Sequence, residues 1–403
     1  MDIRDEAMQL RNEKHQMIKT GLNAKMENSH DLAVVYTPGV AAPCLAIKEE
    51  EDKSLELTWR GNVVAVISDG TRVLGLGDIG PAAAMPVMEG KSALYKRFGN
   101  IDAIPIVLNT KDKDEIVRTI RILEKSFAGI NLEDFSSPKC YDIEDELKAT
   151  MNIPVFHDDQ HGTAIAALAA VLGALRLIKK GIGEANVVMF GAGAAGTAIA
   201  RLLLEDGVKP ENMTVLNSKG ILYDDGRLNR VQKELAKQVN PENRQGTFAD
   251  AVKGADILLA TSAPAAFKEM HKEAIKTMAE KNVVFAMANP IPEMMLSDAQ
   301  ELGVYVFGTG RSDMPNQVNN SSVFPGLFRG ALDVRARQIN EPMKLAAAHA
   351  LADLVSDEEL KPEYVVVDVF DPRVPHAVAK ASAKAAIESG VARVTKLPEQ
   401  YKD

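Results

Sequence analysis

Apolar positions along this chain form short unbroken runs, separated by longer stretches where they recur every three or four residues. The runs at 63–67, 104–108 and 130–132 read as strands, because a strand buried on both faces shows no polar alternation. The stretches 81–98, 114–125 and 141–150 read as helices. Such βα alternation implies a parallel sheet. A run at 153–156 and an Ala-rich helix around 164–175 lead into a second series at 185–190, 213–216, 257–260, 283–286 and 304–307. Past the apolar stretch 364–369, a closing helix is expected from 374 to about 389. The first 30 residues predict a polar helix punctuated by Met8, Leu10, Met17 and Ile18. That arm suits packing on a partner subunit or capping its own fold. Breakers are sparse near residue 160, so a short hinge is expected there.

Composition narrows the class. At 403 residues the chain exceeds what one core usually serves, so two domains or more are expected. A net charge of -9, with no basic stripe, excludes an ordinary nucleic-acid binder. The apolar stretch 164–175 falls short of the roughly 20 residues a membrane span needs, so no membrane partner is expected. Asp2, Asp5 and Glu6 open the chain without an apolar segment, which indicates neither a secretory nor a transit peptide. Cys44 and Cys140 form no CxxC and fit free thiols in a reducing cytoplasm.

The most specific local pattern is GAGAAG at 191–196, between the run 185–190 and a predicted helix at 197–204. Gly191 would make the tight turn, Gly193 and Ala194 would let backbone approach a pyrophosphate, and Gly196 would let helix pack on strand. The helix start then offers unpaired N–H groups to the phosphates. One departure stands out. The next strand ends in Asn217, where a carboxylate normally holds the ribose 2′-hydroxyl. Asn217, Ser218 and Lys219 offer hydrogen bonds and a cation instead, which tilts the choice from NAD towards NADP. An ordinary polar turn before Gly220 would read the same way.

Two strand ends carry acids: Glu133-Asp134 after 130–132, and Asp158-Asp159 after 153–156. The helix between them makes one βαβ unit, so both ends lie on the sheet edge where α/β proteins bind ligands. Four carboxylates gathered there would repel unless a cation neutralised them, and all-oxygen ligation suits Mg²⁺ or Mn²⁺. Solvated turn acids, with Asp159 as a helix cap, are the alternative. His157-Asp-Asp-Gln-His161 imitates the zinc motif HExxH, but it starts at a strand end and lacks the glutamate. Lys91 falls on the apolar stripe of the 81–98 helix with Ala84, Met88, Tyr95 and Phe98. Burial there would lower its pKa towards neutrality and make it a base; a stem that snorkels into water is the alternative.

With these residues in place, the sequence resembles the malic enzyme family, of the short bacterial type, from about Asp31 to Arg393. The resemblance rests on YTPGV (36–40), SDGTRVLGLGDIG (68–80), GKSALY (90–95), LEDF (132–135), FHDDQHGTA (156–164), GAGAAG, FAMANP (285–290) and the NN…VFPG segment (319–326). It implies an α/β fold: an N-terminal substrate and metal domain at 1–157, a Rossmann-type doubly wound NAD(P)-binding domain at 158–365, and a C-terminal helical segment at 366–403. It implies Tyr36 as general acid, Lys91 as general base supported by Asp158, and Arg72 on a malate carboxylate. Glu133, Asp134 and Asp159 would hold the metal, and Asn289 and Asn320 would contact substrate and nicotinamide. It also implies a cytoplasmic homodimer that turns malate into pyruvate. Family members usually carry an acid where this chain has Asn217. A non-decarboxylating hydroxy-acid dehydrogenase leaves the acid cluster unexplained, and a hydrolase centred on His157 and His161 leaves the glycine turn unexplained.

Overall fold

The computed structural model describes residues 3–14 and 16–402. Its strands form two sheets. The first has the order β2-β1-β3-β4, from β1 (Val63–Ser68), β2 (Asp102–Val107), β3 (Gly129–Leu132) and β4 (Val155–His157), all parallel. The second runs β10-β9-β8-β5-β6-β7, from β5 (Val187–Phe190), β6 (Met213–Asn217), β7 (Gly220–Ile221), β8 (Ile257–Ala260), β9 (Val283–Ala286) and β10 (Val306–Thr309). Only β7 pairs antiparallel among the described strands. Each sheet is therefore a doubly wound α/β layer, as the alternating pattern implies.

The apolar runs are continuous because both faces of each sheet are covered. Val64 and Val66 of β1 turn into a core that continues through the helix Asp158–Ile178 to Val187, Met189 and Leu259 of the second sheet. Val63, Ala65 and Ile67 turn the other way, onto the helices Lys113–Ile122 and Lys139–Thr150. Val188, Leu258 and Val284 make a third cluster on the far side of the second sheet. Alternation along each strand thus sorts one apolar run between two cores.

Three expectations need correction. The hinge expected near residue 160 falls inside the continuous 21-residue helix Asp158–Ile178. That helix joins the two sheets through one shared core, because its Ala-rich faces favour helix and pack closely on both neighbours; at Gly173 a Cβ would come within 2.0 Å of the Val365 carbonyl. The same helix is long and apolar enough to cross a membrane, longer than the run 164–175 suggested, but two thirds of its apolar window is buried inside the protein (67%). It reads as a core helix. Finally, the polar helix predicted over the first 30 residues is helical at Ile3–Lys14 and then only from Ser29, where the helix Ser29–Val35 begins, among the described residues.

The closing helix Arg373–Glu388 packs on Phe324–Asp333 and Glu341–Ala352. Phe324–Asp333 in turn lies against Pro81–Gly99 of the first sheet's layer, so the chain end is woven into both halves.

Candidate active site

β3 ends at Leu132, and the chain changes hand at once: Asp134 has φ +58°, in the left-handed region. Strand alternation would send Glu133 and Asp134 to opposite faces. The left-handed residue breaks that alternation, so both acids meet Asp159, the second residue of the helix after β4. One ligand oxygen of each lies within 4.8 Å of the others. The Asp134 amide donates to Asp159 Oδ2 at 2.8 Å, and Asp134 Oδ2 is buried without a partner. Burial first, then Asp159 and Glu133, push the Asp134 carboxyl up to about 9. Burial likewise raises Asp159 to about 6. Three acids this crowded, one with an orphaned oxygen, fit a hard divalent cation.

Lys91 stands beside them. It is 8% exposed, with Nζ 2.6 Å from Asp158 Oδ2 and 3.0 Å from Glu133 Oε1, and 4.5 Å above the Phe324 ring. Asp158 therefore faces the lysine rather than the other three acids. The expectation of a lowered Lys91 pKa is not met. Burial acts in that direction, but Asp158 and then Glu133 outweigh it and hold the ammonium charged.

The loop after β1 closes this edge. The Arg72 amide donates to the Asp134 carbonyl at 3.0 Å, and its guanidinium is exposed at the mouth. At Gly75 of the same loop, a Cβ would approach the Asn289 carbonyl at 3.0 Å, so the Arg72 loop meets the Asn289 loop of the second sheet. A Cβ on Gly162 would strike Asp158 Oδ1 at 1.8 Å and come within 3.0 Å of Asn320 Cβ. The loops that carry Arg72 and Asn289 thus touch each other, and Asn320 lies beside Asp158, the partner of Lys91.

At the second sheet, the three glycines of GAGAAG sit in three different settings. Gly191 has φ +123°. A Cβ on Gly196 would collide with the Gly191 carbonyl at 1.9 Å, whereas at Gly193 nothing lies within 4 Å. The helix opens at Ala194 with no side-chain cap, just past the end of β5, and the strand order reverses between β5 and β8. Asn217 ends β6; its Oδ1 accepts from the Lys219 amide at 2.8 Å, beside Ser218. Lys219 Nζ already has Asp225 at 3.4 Å, so its charge is partly committed.

The profile of the malic enzyme N-terminal domain matches residues 12–148, and that of the malic enzyme NAD binding domain matches 160–388. The chain belongs to the malic enzyme family. The bifunctional malic/malolactic enzyme of Bacillus subtilis is 50% identical over 403 residues, which cover 99% of this chain and 97% of that protein. The NADP-dependent malic enzyme of Escherichia coli is 46% identical, but this chain spans only 50% of its length. Among solved structures, the malic enzyme of Pyrococcus horikoshii superposes with a TM-score of 0.91 at 43% identity, over 97% of this chain and 92% of that one. This malic enzyme is an NAD(P)-dependent oxidoreductase with a Rossmann-type domain.

The zinc alternative fails on geometry. Both ring nitrogens of His161 are taken, by Glu144 at 2.9 Å and Lys344 at 3.0 Å, while His157 Nε2 lies 3.8 Å from Asp159 Oδ2. The histidines share no ion site; among the described residues, the three-acid group is the one metal-capable cluster.

Sequence reasoning missed several supports of the site. Tyr95 donates to Asn131 at 2.8 Å, and Asn131 Nδ2 donates to Glu133 Oε2 at 2.9 Å, fixing that carboxylate. Glu144 accepts from Gln160 at 3.0 Å and from the His157 amide at 3.2 Å. Glu293 accepts from the Ser262 and Ala288 amides and so holds the turn before Asn289. A lone polar residue inside an apolar strand, as Asn131 is, was the one available signal. Tyr36 is the exception to the convergence: it is 66% exposed and its side chain bonds to none of these groups.

Proposed function

We propose that this enzyme oxidises L-malate with NAD⁺ or NADP⁺ and decarboxylates the resulting β-keto acid to pyruvate and CO₂. The three converged carboxylates beside the buried Lys91–Asp158 pair carry this reading. In it, Glu133, Asp134 and Asp159 hold Mg²⁺ or Mn²⁺. When bound, the cation favours ionisation of the hydroxyl and polarises the ketone, and the nicotinamide takes up hydride. Arg72 pins a malate carboxylate through a charge-assisted contact. Lys91 Nζ acts as the general base: its own proton passes to Asp158, its hydrogen-bond partner, and the freed amine takes the proton of the malate hydroxyl. Tyr36 delivers a proton to the enol carbon that becomes the pyruvate methyl. Asn289 and Asn320 orient substrate and nicotinamide.

Gly191, Gly193, Ala194 and Gly196 cradle the pyrophosphate, and Asn217, Ser218 and Lys219 meet the ribose. The missing acid at Asn217 favours NADP. Residues 1–157 supply Tyr36, Lys91 and most of the metal ligands, 158–365 bind nucleotide, and 366–403 close the fold. We further place the enzyme in the cytoplasm as a homodimer, consistent with two free cysteines. The test is absorbance at 340 nm with L-malate, Mn²⁺ and each nucleotide in turn, with pyruvate assayed alongside. Pyruvate formed in step with reduced nucleotide, and lost on chelation, is the expected result. Reduction without pyruvate would move the chain to the simple dehydrogenases.

A further inference from the structure

The helix Asp158–Ile178 opens without a side-chain cap of its own. Its first turn holds two aspartates, acids of the kind that cap a helix, but both are committed elsewhere. Asp158 faces Lys91, and Asp159 accepts from the Asp134 amide. A carboxylate from another helix holds the turn instead. Glu144, on Lys139–Thr150, is 3% exposed and accepts from the His157 amide at 3.2 Å and from Gln160 Nε2 at 3.0 Å. It also meets His161 Nε2 at 3.0 Å and Lys148 Nζ at 2.6 Å. A buried carboxyl surrounded in this way acts as an ionised acceptor, and its charge lies at the positive end of the helix.

The link continues outward. Lys344, on Glu341–Ala352, is buried, with Nζ 3.0 Å from His161 Nδ1 and 2.8 Å from Glu341 Oε1. An ammonium only donates, so His161 Nδ1 accepts and the ring proton on Nε2 points at Glu144. Glu144, His161 and Lys344 thus form one chain of polar contacts. It starts in the helix layer of the first sheet, crosses the opening of Asp158–Ile178, and ends in the late helix packed along it. Buried ionic groups are a poor source of stability, because desolvation offsets most of what pairing returns. The apolar faces of Asp158–Ile178 already seat that helix in the shared core. What the polar chain adds is the orientation of a single turn. That turn has little slack, since a Cβ on Gly162 would strike Asp158 Oδ1 at 1.8 Å.

We infer that Glu144 is a positioning residue for the metal site, and that His161 and Lys344 complete a chain that sets how Asp158 and Asp159 leave the helix start. This rests on the reading in which Asp159 holds the cation and Asp158 partners Lys91. It deepens that reading by extending control of the site to the late helix Glu341–Ala352. Glu144, His161 and Lys344 act through the turn rather than on the reacting atoms. A bound ion tolerates displacements of its ligands of only about 0.5 Å. A slack first turn therefore weakens the hold on the cation before it loosens the fold, just as partners standing behind metal ligands tune affinity elsewhere.

The test reads metal binding without turnover, by electron paramagnetic resonance of free Mn²⁺ over the purified enzyme. Glu144→Gln is expected to raise the Kd for Mn²⁺ about tenfold, the low end for a lost partner behind a metal ligand. Lys344→Met, which keeps an apolar stem in a buried place, should raise it by less. The double variant should be no worse than Glu144→Gln alone, because one broken link already frees the turn. Nucleotide affinity should stay unchanged in all three. Lys180→Met is the control: it breaks the ion pair with Asp256, at 2.5 Å and remote from the acids, and should lower Tm without moving the Kd. An unchanged Kd in folded Glu144→Gln overturns the inference, as does an equal rise in Lys180→Met. Additive effects of Glu144→Gln and Lys344→Met overturn the chain. If Glu144→Gln does not fold, Lys344→Met decides alone, and an unchanged Kd there refutes the link. A folded wild type that binds no Mn²⁺ would instead sink the metal reading itself.

Discussion

Lys91 shows how a single residue takes its chemistry from its surroundings. Burial alone would favour the neutral amine, yet carboxylates at 2.6 and 3.0 Å keep it charged. Removing the lysine therefore removes a proton carrier and leaves Asp158 and Glu133 facing each other without a cation. Lys91→Ala is expected to lower kcat by about 10²–10⁴-fold, the range typical of a lost acid–base group. Nucleotide affinity, read by nicotinamide fluorescence, should change little, because the glycine turn lies on the other sheet. Asp159→Asn addresses a different step. Losing one of three anionic ligands weakens attraction for a divalent ion, so half-saturation by Mn²⁺ should rise at least about tenfold. A titration with unchanged half-saturation would remove Asp159 from the metal site.

At the scale of elements, the glycine turn separates a packing requirement from a binding requirement. A Cβ at position 196 meets the Gly191 carbonyl at 1.9 Å, while at 193 it meets nothing. Gly196→Ala should therefore lower both Tm and nucleotide affinity. Gly193→Ala should leave Tm within a degree or so and weaken only nucleotide binding, since the open space is where the pyrophosphate would sit. Equal loss of Tm in both would refute the distinction. The elements carrying these glycines were readable in advance, because sheets buried on both faces write their strands as unbroken apolar runs. The acids were readable for a related reason: polar residues stand out where such runs stop. The start of the helix Asp158–Ile178 was not, because two aspartates in its first turn look like loop until their partners, Lys91 and Asp134, are known. Asn131 and Glu144 stayed hidden because their roles depend on contacts between elements that no local pattern records. The exposed setting of Tyr36 was hidden too, since an apolar arm reads alike whether its own chain or a neighbour covers it.

For the whole molecule, the late helices tie the two halves together, and one contact that such a helix makes within the second half titrates. His349, on the helix Glu341–Ala352, places Nε2 2.6 Å from Asp206 Oδ1, the residue that ends the helix following the glycine turn. The hydrogen bond to Asp206 raises the His349 pKa despite partial burial. The imidazolium also offsets a carboxylate at the negative end of that helix. A histidine whose folded pKa lies above its unfolded value of about 6.5 binds its proton more tightly in the native state. Its contribution is fully present below that value and disappears as pH rises through the folded pKa. The pair is half-exposed on the histidine side, so solvent screening keeps it small, within about 0.2–1 kcal/mol. His349→Gln should accordingly lower Tm by about 1 °C at pH 6 and by nothing measurable at pH 9. A Tm deficit that is equal at both pH values would mean that His349 contributes only packing, and that the charge on Asp206 is met by solvent.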